Sequence, residues 1–235
     1  MSIAEASQRA SARLKKASLI AEHKFFVLFV YLLATLVFYP YAENRPGIYM
    51  FFRVFGAAGM LFAVYAINLR RTVLVCALLL AVPAVLHHII EFRADAGALP
   101  VFGILLSFGF DLFLVVVLFR RVILEAQPTS ETILGALCIY LLVGFSFASV
   151  YGMVAALQPK AFYLDPLVNT HSIPRRFDMV YYSFGTLTSV GASGITPVSD
   201  AARSLTAIEA TIGVLYLAVL IARLISGYRP PSARD

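Results

Sequence analysis

Between two long apolar stretches lies TLTSVGASGITPVSDAARSLTAIEA, residues 186–210, a run of glycines, small residues and hydroxyls whose only acids are Asp200 and Glu209. Its chemistry is that of oxygen. Thr188, Ser189, Val190, Gly191, Ala192, Ser193 and Gly194 offer backbone carbonyls, and Thr188, Ser189 and Ser193 add hydroxyls. No acid–base pair, nucleophile elbow or metal-ligand cluster accompanies them, so the chain reads as a non-enzyme. Carbonyl oxygens can replace the hydration shell of a cation. Irregular backbone at membrane depth is tolerated only where protein or water surrounds it. The segment therefore reads as the lining of a cation path.

The elements that must position this loop are membrane helices. The chain has 235 residues, 60% hydrophobic and 14% charged, against about half apolar and a quarter charged for a soluble domain. Six apolar stretches approach the roughly twenty residues that a span needs: 25–41, 48–69, 72–90, 99–119, 133–157 and 205–225. Between the fifth and sixth, RFDMVYYSFGTLTSV (176–190) is too short to span and reads as re-entrant, with a helix over Arg176–Leu187 returning the chain to mid-membrane. That helix is expected to aim its C-terminal carbonyls at the ion path, with 188–194 climbing outward in extended form. The fold class expected is an all-α membrane protein of six helices plus a re-entrant helix and loop.

Net charge is +6, without a nucleic-acid stripe. Arg9, Arg13, Lys15, Lys16 and Lys24, then Arg70 and Arg71, Arg120 and Arg121, and Arg229 and Arg234 all fall on one side of six spans. The positive-inside rule makes both termini cytoplasmic and 186–210 outward-facing. Residues 1–23 are polar and basic with no signal peptide evident, and read either as an amphipathic helix on anionic lipid or as a basic tail. Residues 24–121 form a four-helix membrane bundle, 130–227 the unit holding the loop, and 228–235 a short tail with no room for a regulatory domain. Cys76 and Cys138 lie in apolar runs and read as small buried residues. Arg53 and Asp111 are charges within spans; they pair structurally or relay an ion. Adjacent His87 and His88, with Glu91 a turn on, do not converge on one metal. The fourth stretch has no arginine before Arg120, so a voltage sensor of the usual kind is not expected.

The stretch YYSFGTLTSVGASGITPVSDAARSLTAIEATIGVLYLAVLIARLIS, 181–226, resembles the pore module of the bacterial potassium-channel family, where the pattern is close to YFSF-TLTT-VGYGDITP…ARSL…E…IG-LYLAVLIARL. The resemblance implies a homotetrameric pore in a bacterial inner membrane, with three identical subunits completing the ring and a monovalent cation, potassium or sodium, in a filter formed by 188–194. Aligned without gaps, Thr-Val-Gly-Tyr-Gly-Asp becomes Ser189-Val190-Gly191-Ala192-Ser193-Gly194. The family's bracing tyrosine is thus Ala192, a left-handed glycine is Ser193, and the aspartate that ties the outer mouth to the pore helix is Gly194. The outer half is expected to be looser, with potassium selectivity weakened. Restoring all three residues is expected to tighten it.

The resemblance also implies filter support from Tyr182 and from Glu209, the last bracing the substituted loop; Asp178, on the first turn of the short helix, is a second acid near the filter and reads either as filter support or as a complement to the helix N-terminus. Gly213 matches a hinge glycine, with close helix packing the competing reading. Below it, Leu217, Val219, Leu220 and Leu224 make an apolar constriction. The function implied is a passive cation channel. A weakly selective monovalent cation channel and a non-conducting pore-fold scaffold are the alternatives.

Overall fold

The computed structural model describes residues 24–43, 75, 78–80, 82–83, 99–124 and 130–227. The N-terminal segment 1–23, the stretch 48–69 with Arg53, most of 72–90 with Cys76, His87 and His88, Glu91, and the tail 228–235 lie outside the described residues. The elements are α1 (Lys24–Glu43), α2 (Leu99–Leu124), α3 (Ser130–Leu157), β1 (Phe162–Leu164), α4 (Arg176–Leu187), β2 (Ile195–Pro197) and α5 (Asp200–Gly227).

Among the described residues, three helical segments are long and apolar enough to cross a membrane: Phe102–Arg120, Glu131–Leu157 and Asp200–Arg223; α1 carries the shorter apolar segment Phe25–Tyr41. Their buried faces follow helical spacing. Phe110, Leu114, Leu118 and Val122 form a stripe at every fourth residue of α2, and Phe25, Leu28 and Leu32 form one on α1. Both meet α3 through Ala136, Cys138, Ile139, Leu141 and Leu142. The opposite faces are apolar and exposed, as at Val30, Val37, Phe102, Leu105 and Leu112, the pattern of helices solvated by lipid. Asp111 lies midway along α2.

Helix α3 is the hub, with α1, α2, α4 and α5 all packed against it. A second core joins Tyr151 of α3 to Phe162, Leu164, Met179, Tyr182, Ile195 and Ala202. Two short strands, outside the all-helical expectation, run through this core. β1 pairs antiparallel with β2 in the register Phe162↔Pro197, Tyr163↔Thr196 and Leu164↔Ile195. Val198 N–H and Ser199 N–H extend the pairing to Ala161 O at 2.8 and 3.2 Å. The loop after α3 is thereby stitched to the chain emerging from 188–194.

Helix boundaries follow capping. α5 begins at Asp200, not at the first apolar residue, because Ser199 Oγ accepts the Ala202 amide at 3.2 Å and Asp200 complements the N-terminal dipole. α4 begins after Arg175, which is extended (φ −91°, ψ 167°). Asp178 Oδ2 accepts the Arg175 amide at 2.7 Å, a carboxylate at N3 reaching back to the cap.

Candidate functional site: the loop that follows α4

At twelve residues, α4 is about 18 Å long, short of the roughly 30 Å hydrocarbon core. It is wedged between α3 and α5. Two glycines permit this. A Cβ on Gly144 of α3 would lie 2.8 Å from Phe184 Cζ, so the Phe184 ring rests on bare backbone. A Cβ on Gly213 of α5 would overlap the Leu187 carbonyl oxygen. Gly213, weighed above as hinge or packing residue, is thus the point where α5 touches the C-terminal end of α4.

Glu209 fixes the same wedge. It is 0% exposed. Tyr151 Oη donates to its Oε2 at 2.7 Å, and Ser183 Oγ lies 2.5 Å from its Oε1 and 2.7 Å from Gly144 O. These partners belong to α3 and α4, so Glu209 ties three helices together; they lie outside 188–194, a correction to its expected role as a brace on the loop itself. Tyr182 Oη meets Thr206 Oγ1 at 2.6 Å. Its ring packs edge-on with Tyr151 (5.0 Å) and Phe162 (5.3 Å), and Ala192 lies against this cluster. The room that a filter tyrosine would need is filled by these rings. Asp178 supports the other end of α4, with His171 Nε2 2.7 Å from its Oδ2.

The four last carbonyls of α4 are engaged within the chain. Phe184 O accepts from Thr188 N (3.1 Å) and Oγ1 (2.7 Å), Gly185 O from Gly191 N (2.9 Å), and Thr186 O from Ser189 N (3.0 Å). Leu187 O accepts from Tyr140 Oη at 3.0 Å. Those carbonyls are therefore held by hydrogen bonds within the chain, and the loop 188–194 follows directly from them.

That loop is a chain of turns, not the extended strand expected. Thr188 is right-handed (φ −86°, ψ −2°); Ser189 (φ 59°), Gly191 (φ 86°) and Gly194 (φ 80°) are left-handed. The strain anticipated at Ser193 falls on Ser189, at roughly 1 kcal/mol. Ser193 keeps ordinary backbone and donates its N–H to Tyr181 Oη at 3.1 Å. Val190 is 84% exposed. Gly185 lets the loop close on the helix, since a Cβ there would lie 2.8 Å from Gly191 O.

On α5, Leu217 and Val219 are exposed, Leu220 packs against the first core, and the Leu224 side chain lies outside the described residues. Tyr151, Ser183, Tyr140 and Gly185 were missed as site residues. An isolated glycine inside the helical pattern of α4 was a readable sign of close backbone approach. The tyrosines lie too far away in sequence to be paired by spacing.

Residues 135–228 match the family model described as Ion channel. The match spans α3 from its second turn, the strands, α4, the loop and α5, and covers less than half of the chain. No curated protein and no solved structure matches. With three helices among the described residues able to cross a bilayer, the match supports an integral membrane protein of cation-channel-like, non-enzymatic function.

Replacing Glu209 with alanine leaves the Tyr151 and Ser183 hydroxyls without that buried partner. Glu209→Ala is expected to destabilise the detergent-solubilised protein by about 1–3 kcal/mol, and Glu209→Gln by less, as read from denaturant or thermal unfolding. Equal stability of the alanine variant and the parent would show that the three-helix tie contributes nothing.

Proposed function

We propose that four copies of this chain form a passive monovalent cation channel of six spans per subunit. In this reading α4 is a re-entrant pore helix, 188–194 is the ion path, and discrimination between potassium and sodium is weak. One observation carries it. A helix too short to span is held between two spanning helices and ends in a glycine-punctuated loop, within the region that matches an ion-channel family.

The loop's geometry favours weak discrimination. Three of its residues, Ser189, Gly191 and Gly194, are left-handed, so 188–194 is a chain of turns and not an extended strand, and Ala192 contributes no ring. One chain supplies one wall of a path, and closed symmetry completes it. α5 agrees with this: Ile208, Ile212, Val214, Leu215, Val219, Ile221 and Ile225 leave an exposed apolar surface for neighbouring copies and lipid. Anionic lipid at the basic N-terminus, both termini in the cytoplasm, and a bacterial inner membrane belong to the same proposal, as does a gate at Leu217, Leu220 and Leu224 of α5.

Native mass measurement in detergent is expected to give a tetramer, and proteoliposomes are expected to carry alkali-cation current with a bi-ionic reversal potential near zero for potassium against sodium. A stable monomer or dimer as the largest species overturns the assembly. A tetramer without current leaves the non-conducting scaffold. A strongly potassium-selective reversal potential overturns the reading of the loop.

A further inference from the structure

The substitutions at Ala192 and Gly194 remove two of the three familiar supports of the outer mouth, yet the mouth in this structure is held. The support comes from the loop between β1 and α4. Gly194 O accepts two hydrogen bonds from it, one from the Asp165 amide at 2.9 Å and one from Asn169 Nδ2 at 2.8 Å. Asn169 is itself fixed, since its Nδ2 also reaches Asp165 O at 3.1 Å and its amide donates to the same carbonyl at 2.8 Å. Asp165 closes the turn, its Oδ1 accepting the Leu167 amide at 2.9 Å. Immediately beyond Gly194, Ile195 pairs with Leu164.

We propose that residues 165–169 are the latch of the outer mouth and that Asn169 is a positioning residue, acting through the Gly194 carbonyl to set which alkali cations the path passes. This rests on the channel reading above, although the latch itself does not.

The physical case is one of fit. Gly194 is left-handed (φ 80°), which a residue without Cβ adopts freely. A Cβ there would lie 2.9 Å from Val168 Cβ and 3.0 Å from Asn169 Nδ2. The glycine and the loop therefore require each other: the loop fills the space that a side chain at 194 would take, and the carbonyl so presented takes the amide of Asn169. Ser193, one residue back, is held by Tyr181 Oη, so two consecutive residues of the mouth are anchored to different elements. A shift of Gly194 is passed to Ser193 and Ala192, whose carbonyls the channel reading places on the path. Asn169 touches no ion in this arrangement.

Asn169→Leu removes the donor while keeping the branching and the number of side-chain heavy atoms, and adds no charge. Amide hydrogen exchange in the assembled, detergent-solubilised protein is expected to rise about five- to tenfold over 193–197, the size of one lost hydrogen bond, with 176–187 unchanged. In proteoliposomes the relative permeabilities of lithium, sodium, potassium, rubidium and caesium are expected to change, while Ile173→Ser, at a 77% exposed position of the same loop outside 165–169, leaves them as in the parent. Unaltered exchange over 193–197 overturns the latch. Faster exchange with an unaltered permeability series overturns the role of Asn169 in ion choice. If the leucine variant does not assemble, the unmodified protein still decides: the Asp165 amide is expected to exchange slowly, and free exchange there overturns the latch. Absence of current in the parent is a failure of the channel reading, and the exchange measurement stands apart from it.

Discussion

Gly213→Ala is expected to destabilise the assembled protein by up to about 2 kcal/mol, although alanine is the better helix former. The two effects have opposite signs, and their sizes decide the outcome. Removing glycine from a helix interior gains about 1 kcal/mol. Overpacking a filled contact costs about 1–3 kcal/mol, and here the obstacle is the Leu187 carbonyl, a backbone group. That carbonyl cannot swing aside cheaply, because Tyr140 Oη holds it at 3.0 Å and the Tyr140 ring packs on Tyr216 of α5 at 5.7 Å. The new methyl must therefore push α5 away from α4, loosening Glu209 from Ser183 one turn earlier. A glycine retained only as a hinge gives the reverse sign: the alanine variant would be as stable as the parent or about 1 kcal/mol more so, with altered gating. Unfolding of the purified variant separates the two, and a stable Gly213→Ala protein removes the close-contact account.

The helices were legible in the sequence to the extent that they are apolar runs interrupted by polar links. α3 and the 12-residue α4 sit where hydropathy and length put them, and α2 and α5 run further only because Arg120 and the capped turn at Ser199 continue a helix that hydropathy does not see. The candidate loop was legible as a location, from its glycines and hydroxyls. Its conformation was not. Reading 188–194 as an extended copy of a known filter put the strained residue at Ser193, whereas closure of Gly191 N–H onto Gly185 O moves the left-handed turn to Ser189. The β1–β2 ribbon was beyond reach for a different reason: three residues per strand carry no readable alternation, and the partners are separated by the whole of α4. Likewise Glu209 could be singled out as an intramembrane acid, but its partner Tyr151 lies 58 residues away and only the packed helices bring the two together.

Restoring the family's filter is expected to fail at Gly194 before it has any effect on selectivity. Taken from the sequence, Ala192→Tyr, Ser193→Gly and Gly194→Asp together should tighten the potassium preference. The structure reverses that expectation. Gly194→Asp places a Cβ on a left-handed residue, at roughly 1 kcal/mol, and drives it against Val168 Cβ at 2.9 Å. Val168 is β-branched and cannot yield by rotation, so the 165–169 loop must move. Its two hydrogen bonds to Gly194 O are then lost, at about 1 kcal/mol each. A total near 3 kcal/mol from one surface substitution is large for its class. Tyrosine at 192 meets the packed rings of Tyr151, Phe162 and Tyr182, so the other restorations do not relieve the first. The triple variant should therefore be recovered in lower yield and unfold earlier than the parent. Ser193→Gly alone, at a residue of ordinary backbone, should change stability little. Adding Val168→Gly to Gly194→Asp removes the nearest obstacle and should return part of the lost stability. A Gly194→Asp protein that assembles and unfolds like the parent would mean that the loop yields without cost, and that the outer mouth is not held where this structure holds it.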